Sequence, residues 1–270
     1  MKILFIGDIV GQPGRTAVAN ILPALKRKEK FDLVIANAEN ASHGTGVSAK
    51  NIEELKKSGI DFFTSGNHIW KHGDADTILA DKTSNLIRPA NYSDELPGDG
   101  YRIIEVGSRK VAIINLMGRV FMGPTLDDPF TKLDQILTKI AAKKPNVILV
   151  DFHAEVTSEK VAFGWYADDK TKRPGQISAV LGTHTHVPTA DTKILPSGTA
   201  YVTDTGMTGA RDGVIGNSKD DIIQGFLDQR TRRKSIPESG PLVMNAVSLE
   251  IDPKNGRTKS ITRMDMESEM

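Results

Sequence analysis

The 270-residue chain contains no cysteine. Disulfides, thiolate metal sites and thiol nucleophiles are therefore excluded. His, Asp, Glu and Asn remain as the strong ligands for any metal, a hard-to-borderline set. Charge of one sign is lacking too: 35 Lys and Arg against 34 Asp and Glu leave a formal net charge of +1. No whole-molecule field then draws the chain to nucleic acid or to an anionic membrane, and an anionic substrate has to be attracted locally. No run approaches the roughly 18 apolar residues of a membrane span. The opening MKILFIGDIV reaches Gly7-Asp8 and Pro13-Gly14 too soon to hold a signal-peptide core and a cleavage site. A soluble, cytoplasmic protein with no membrane partner is expected.

What is present is an ordinary globule, with a hydrophobic fraction of 39% that can build a real core. Short apolar runs alternate with longer amphipathic ones. Ile3–Ile6, Leu33–Ala36 and Phe62–Thr64 read as strands, separated by helices over Arg15–Lys30 and Ala49–Lys57. This βαβαβ rhythm implies parallel strands with right-handed crossovers. Tyr101–Leu116 reads as a hairpin around Gly107-Ser108, and Lys132–Lys143 as a helix. Val147–Val150, Ala179–Leu181, Ala200–Val202 and Val243–Ile251 read as strands without full helices between them, so antiparallel pairs are expected late in the chain. Residues 167–176 form a charged loop, and the tail from Arg257 reads as solvated or frayed. The expectation is one domain over residues 1–270, an α/β layered sandwich with helices outside mixed sheets.

The polar residues fall where such a fold does chemistry. Asp8 ends the first strand, Glu39-Asn40 follow the second, and Asn67-His68 follow the third. His153 ends the Val147 strand, and His184 and His186 follow the Ala179 strand. In open parallel sheets the carboxyl ends of strands border one crevice, so residues from position 8 to position 186 can meet there. Each piece alone has a bland reading: Gly7-Asp8 as a turn, Gly66-Asn67-His68 as a turn with a surface histidine, His153 as a core histidine. Gly182-Thr183-His184-Thr185-His186 is the sharpest piece, because two imidazoles two residues apart in an extended segment rarely serve packing. Two carboxylates, three imidazoles and two amides exceed the four to six ligands of one divalent ion. They indicate a pair of ions of the Mn, Fe or Zn type.

The GD near the N-terminus, GNH at 66–68, the strand-end His153 and GTHTH at 182–186 resemble the calcineurin-like metallophosphoesterase superfamily. That superfamily usually opens with Asp-x-His and continues with Gly-Asp. Here Asp8-Ile9-Val10 and Ala38-Glu39-Asn40 stand in those places. These departures, with DFHAEVTSEK (151–160) and GTHTHVPTAD (182–191), are similar to a narrower bacterial subfamily, the YmdB-like cyclic-nucleotide phosphodiesterases. The resemblance runs from Met1 to about Gly216.

It implies an α/β/β/α sandwich and two divalent transition-metal ions, iron first and manganese as the alternative. Glu39 would bridge the ions, with Asp8, Asn40 and His186 on the first and Asn67, His153 and His184 on the second. His68 would face the substrate as proton donor. The implied reaction opens a 2′,3′- or 3′,5′-cyclic nucleotide through a hydroxide generated between the metals. A phosphomonoesterase, an RNA-directed nuclease and a metal-binding regulatory protein remain as alternatives on the same residues.

Other patterns carry less. His153-Ala154-Glu155 echoes the zinc-deaminase triplet but has no cysteine partner. Asp204-Thr205-Gly206 echoes the aspartic-protease triplet and reads better as a strand-end turn. Arg230–Lys234 (RTRRK) is a solvated basic run or an RNA phosphate contact. Trp70, Phe121 and Trp165 read as packing residues, and His43 and His72 as surface ones. A homo-oligomer stays open.

Overall fold

The computed structural model describes residues 1–171, 174–230 and 234–270. In its first half the chain runs β1 (Lys2–Ile6), β2 (Asp8–Ile9), α1 (Gly11–Glu29), β3 (Leu33–Asn37), α2 (Ala49–Lys57), β4 (Phe62–Thr64), α3 (Ala75–Ala80), β5 (Tyr101–Val106), β6 (Arg109–Met117) and α4 (Pro129–Ile140). It continues through β7 (Val147–His153), α5 (Thr157–Asp168), β8 (Ala179–Thr183), β9 (Lys193–Ile194), β10 (Ala200–Val202), β11 (Met207–Ala210) and α6 (Lys219–Asp228). The last four strands are β12 (Pro241–Met244), β13 (Ala246–Ile251), β14 (Thr258–Arg263) and β15 (Met266–Glu269).

Two large sheets stack face to face. One has the order β14-β13-β1-β3-β4 and the other β5-β6-β7-β8-β10-β9. Alternate residues of each strand serve different layers, because successive side chains point to opposite faces. Ile3, Phe5, Leu33 and Ile35 meet Val111, Ile113, Val147 and Leu149 between the sheets. Leu4, Ile6, Val34 and Ala36 face outward against Val18, Leu22 and Leu25 of α1 and Ile52 and Leu55 of α2. Ala112, Ile114, Ile148 and Val150 do the same against Leu133 and Ile136 of α4 and Phe163 of α5. Both faces are covered, which is why these strands read as unbroken apolar runs. The result is the expected α/β/β/α sandwich. A smaller sheet, β15-β12-β11-β2, lies beside it.

Several boundaries differ from the sequence reading. Helix α1 begins at Gly11 rather than Arg15, because the missing N–H of Pro13 falls in the first turn, where no partner is needed. Helix α4 begins at Pro129, capped by Asp128, whose Oδ2 accepts from Thr131 N at 2.9 Å. The late strands are not free of helices. TSEKVAFGWYAD forms α5, whose apolar residues do not follow a clean stripe, and α6 precedes β12. Val243–Ile251 is not one strand: the chain breaks at Asn245, and the two halves join different sheets. The expected antiparallel pairs are present, as β9 with β10, β11 with β12 and β13 with β14, although β8 and β10 run parallel.

The tail expected to fray is two paired strands, β14 on β13 and β15 on β12. The expected charged loop loses its start to α5, which runs through Asp168, and includes residues 172 and 173, which lie outside the described residues. Residues 231–233 of the basic run also lie outside them.

Candidate metal centre

Five strand ends from both large sheets open onto one crevice. Asp8 starts β2 directly after β1, and Glu39 and Asn40 occupy the turn after β3. Asn67 and His68 follow β4, His153 closes β7, and His184 and His186 follow β8. The structure brings all eight predicted side chains together. His153 Nε2 is 3.0 Å from Asn67 Oδ1, 3.0 Å from His184 Nδ1 and 3.3 Å from Glu39 Oε1. Asn40 Nδ2 donates to Glu39 Oε1 at 3.0 Å and lies 3.3 Å from His186 Nε2. His184 N donates to Asp8 Oδ2 at 3.1 Å. His68 N donates to Glu39 Oε2 at 2.9 Å, and His68 Nδ1 is 2.7 Å from Asn40 Oδ1. His43 and His72 stay outside this cluster, His43 exposed and His72 turned toward Asp74.

The surroundings fix which imidazole atom is free. Thr183 Oγ1 donates to Asp151 Oδ1 at 2.6 Å, so it must accept from His153 Nδ1 at 2.9 Å. His153 Nε2 is left facing the cluster, the nitrogen that becomes a lone-pair donor once the ring is neutral. His184 Nε2 lies 3.1 Å from Glu155 Oε2, which leaves Nδ1 facing the cluster. His186 Nδ1 donates to the carbonyl of Ile215 at 3.0 Å, which leaves Nε2. Three imidazoles thus each turn one nitrogen inward while an oxygen acceptor holds the other nitrogen. His184 (φ 101°) and His186 (φ 67°) adopt left-handed backbone to do so, at a cost of about 1–3 kcal/mol each.

Electrostatics point the same way. Asp8, Glu39 and His153 are buried. Burial opposes the charge on His153, but Glu39, then Asp8 and Asp151, overcome it and raise its pKa to about 9. Glu39 is also desolvated, yet His153 and His68 hold it well below the usual carboxylate range. Burial raises Asp8. His184 is pushed down to about 3 by burial and by His153. The cluster therefore recruits positive charge, and a proton on His153 is what it takes in the absence of another cation.

A metal fits these residues. Asp8 Oδ1 is buried with no hydrogen-bond partner, an expensive omission unless a cation takes its lone pairs. Glu39, His153 and His184 each place one donor atom within 4.8 Å of the others. Gly66 leaves room for the cluster: a Cβ there would lie 2.3 Å from His153 Nε2 and 2.4 Å from Glu39 Oε2. One amide departs from the expected ligand set, since Asn40 turns its NH₂ toward Glu39 and His186. A half-turn about χ2 would present Oδ1 there and the NH₂ to His68.

Sequence reasoning missed the supports. Asp151 is buried and accepts from Thr64, Asn37 and Thr183 (2.5, 3.0 and 2.6 Å), which holds the Thr183–His153 contact. An aspartate inside the apolar run Val147–His153 was the available signal. Glu155, the acid of the His-Ala-Glu triplet, is a further support, 3.1 Å from His184 Nε2.

The layered architecture and the crevice at its strand ends define the metallophosphoesterase type of fold. Two solved structures share it along nearly the whole chain. A hypothetical protein of Thermus thermophilus has a TM-score of 0.90 at 40% identity, with 99% of each chain covered. A Mycoplasma pneumoniae protein described as a novel phosphatase has a TM-score of 0.88 at 35% identity, covering 100% of this chain and 94% of its own. The 2′,3′-cyclic-nucleotide 2′-phosphodiesterase of Bacillus subtilis (strain 168) is 45% identical over 264 residues, 98% of this chain and 96% of that one. The YmdB-like protein family model matches residues 4–264. The chain belongs to the YmdB-like family.

Proposed function

We propose that this chain is a two-metal phosphodiesterase that opens 2′,3′-cyclic nucleotides to nucleoside monophosphates. The observation that carries the reading is the convergence of three inward-facing imidazole nitrogens on two buried carboxylates, one of them with an orphaned oxygen. The 45% identity to a 2′,3′-cyclic-nucleotide 2′-phosphodiesterase supports the substrate class. Asp8, Asn40 and His186 would hold one ion, Asn67, His153 and His184 the other, and Glu39 would lie between them. Iron is the first candidate and manganese the second. When bound, the two ions supply a hydroxide nucleophile at neutral pH and neutralise charge on the phosphodiester.

The remaining work falls to the chain. Asn67, and Asn40 after the half-turn about χ2, would contribute neutral oxygens, so the centre would keep the positive charge a diester monoanion requires. His68 lies at the open side of the cluster, its side chain 31% exposed and its backbone pinned to Glu39. If the Asn40 amide made that half-turn to present Oδ1 to a metal, its NH₂ would donate to His68 Nδ1 and put the ring hydrogen on Nε2. That atom can then protonate the departing ribose oxygen, a contribution of about 10²–10⁴-fold. Water adds across one phosphorus–oxygen bond of the ring, and a single product, a monoester that carries the freed ribose hydroxyl, leaves.

The test pairs metal analysis of freshly purified protein with turnover of 2′,3′- and 3′,5′-cyclic nucleotides, a nucleoside monophosphate and RNA. Close to two transition ions per chain and fastest turnover of a cyclic diester, abolished by chelation, are expected. Full activity with at most one ion would overturn the two-metal assignment. Preference for the monoester or RNA would overturn the substrate.

A further inference from the structure

We propose that the buried Lys160–Asp204 ion pair is the positioning device that holds the His184–His186 turn in its ligand-presenting conformation. The proposal rests on the two-metal reading above. Lys160 and Asp204 come from different parts of the chain, α5 and the turn after β10, and both side chains are 1% exposed. Lys160 Nζ donates to Asp204 Oδ2 at 2.6 Å and to the carbonyl of Thr183 at 2.8 Å. The same Asp204 oxygen accepts from Thr185 N at 3.1 Å and from Thr185 Oγ1 at 2.8 Å. Asp204 Oδ1 is taken up by Gly206 N at 2.8 Å. The pair therefore grips the peptide on each side of His184: the lysine holds the carbonyl before it and the aspartate the amide after it.

Beyond Thr185 the turn is closed again on Asp204, whose N donates to Thr189 Oγ1 at 2.9 Å and whose carbonyl accepts from Thr189 N at 3.1 Å. His184 and His186, on either side of the gripped residue, both have left-handed backbone that a free chain would relax. A buried ion pair is a poor way to stabilise a core, since desolvation cancels most of the attraction. Its use lies in geometry, because it fixes two backbone groups of this one turn, the Thr183 carbonyl and the Thr185 N–H. Under the proposed ligand assignment the turn serves both ions, through His186 and through His184. Releasing the grip should weaken both together.

The experiment titrates Mn²⁺ into chelator-stripped full-length protein by calorimetry. It compares the wild type with Asp204→Asn, Lys160→Met and Thr185→Val, and follows each stripped variant by circular dichroism and melting. Supports behind metal ligands are worth about 10–100-fold in affinity. Asp204→Asn and Lys160→Met are expected to weaken both ions by that factor at a temperature where the stripped protein stays folded. Lys160→Met leaves a buried carboxylate unpaired and can unfold the protein. Thr185→Val keeps the ion pair and the side-chain volume and deletes only the Oγ1 bond. It should weaken Mn²⁺ binding about tenfold while the stripped protein melts as the wild type does. Variants that melt lower but bind both ions within twofold of wild type would make the pair merely structural and overturn the proposal. A wild type that binds no Mn²⁺ would overturn the two-metal reading itself, and this inference with it.

Discussion

His68 differs from its neighbours in what it offers. The other three histidines of the cluster have their outer nitrogen held by an oxygen, whereas His68 meets the cluster through its backbone N–H and through Nδ1, which lies 2.7 Å from Asn40 Oδ1 and 3.3 Å from Glu39 Oε1. A proton donor and a ligand leave different signatures on substitution. His68→Ala should retain both ions, yet its kcat on a cyclic nucleotide should fall by about 10²–10⁴. On an activated aryl diester, whose leaving group needs no proton, the loss should be far smaller. His184→Ala should impair both substrates alike. Equal losses for His68→Ala on the two substrates, or loss of metal from it, would make His68 a ligand or an orienting group instead. At this scale the sequence was informative because the site residues all fall at or just beyond the ends of apolar runs, so that the turn and packing readings open to each alone do not account for the set. Glu155, Asp151 and Asp204 were less legible. Their meaning lies in a partner 29, 32 and 44 residues away (His184, Thr183 and Lys160), and spacing along the chain says nothing of such contacts.

Among elements, the turn after β4 sets the tolerance of the centre. Gly66 sits where any side chain would run into His153 Nε2 and Glu39 Oε2, at 2.3 and 2.4 Å from its Cβ, and neither neighbour is a flexible chain end free to retreat. Gly66→Ala is therefore expected to fold with near-native circular dichroism while losing metal affinity at least tenfold. Its turnover should fall by about 10²-fold, the usual result of displacing a reacting group by an ångström. Normal metal content and rate in that variant would mean that the β4 turn is slack. The strands β1, β3, β4 and β10 were legible because burial on both faces leaves an apolar run bounded by polar residues. Helix α5 was not. It buries Lys160 and Asp168 beside Phe163 and Ala167, so its inward face mixes charge with apolar groups and gives no stripe to read. The break at Asn245 was equally hidden. Asn245 accepts from Gly7 N at 3.0 Å and donates to Asp265 at 3.0 Å, bonds that only the assembled sheets make available.

For the molecule as a whole, the centre is a concentration of buried negative charge in a chain that is otherwise balanced, and pH should tune how it is neutralised. His153 is raised to about 9, with burial opposing the shift and Glu39, Asp8 and Asp151 driving it. In the stripped protein it therefore carries a proton at neutral pH, and Nε2 must lose that proton before it can serve an ion. Mn²⁺ binding at pH 7 should release about one proton, and apparent affinity should climb up to about tenfold per pH unit until pH approaches 9. The sign for stability follows from the same shift. A folded-state pKa raised above the ordinary histidine value of 6.5 stabilises the stripped protein fully below that pH. The contribution is lost as pH rises through about 9. The loaded protein has no such proton to lose, and bound ions add stability by mass action. The difference in melting temperature between Mn²⁺-loaded and stripped protein should then widen between about pH 6.5 and about pH 8.5. Melting curves across that range, with calorimetry in buffers of different ionisation enthalpy to count the proton, measure both effects. A gap that stays constant or narrows, together with binding that releases no proton, would mean that His153 is already neutral in the stripped protein and that the carboxylates are balanced in some other way.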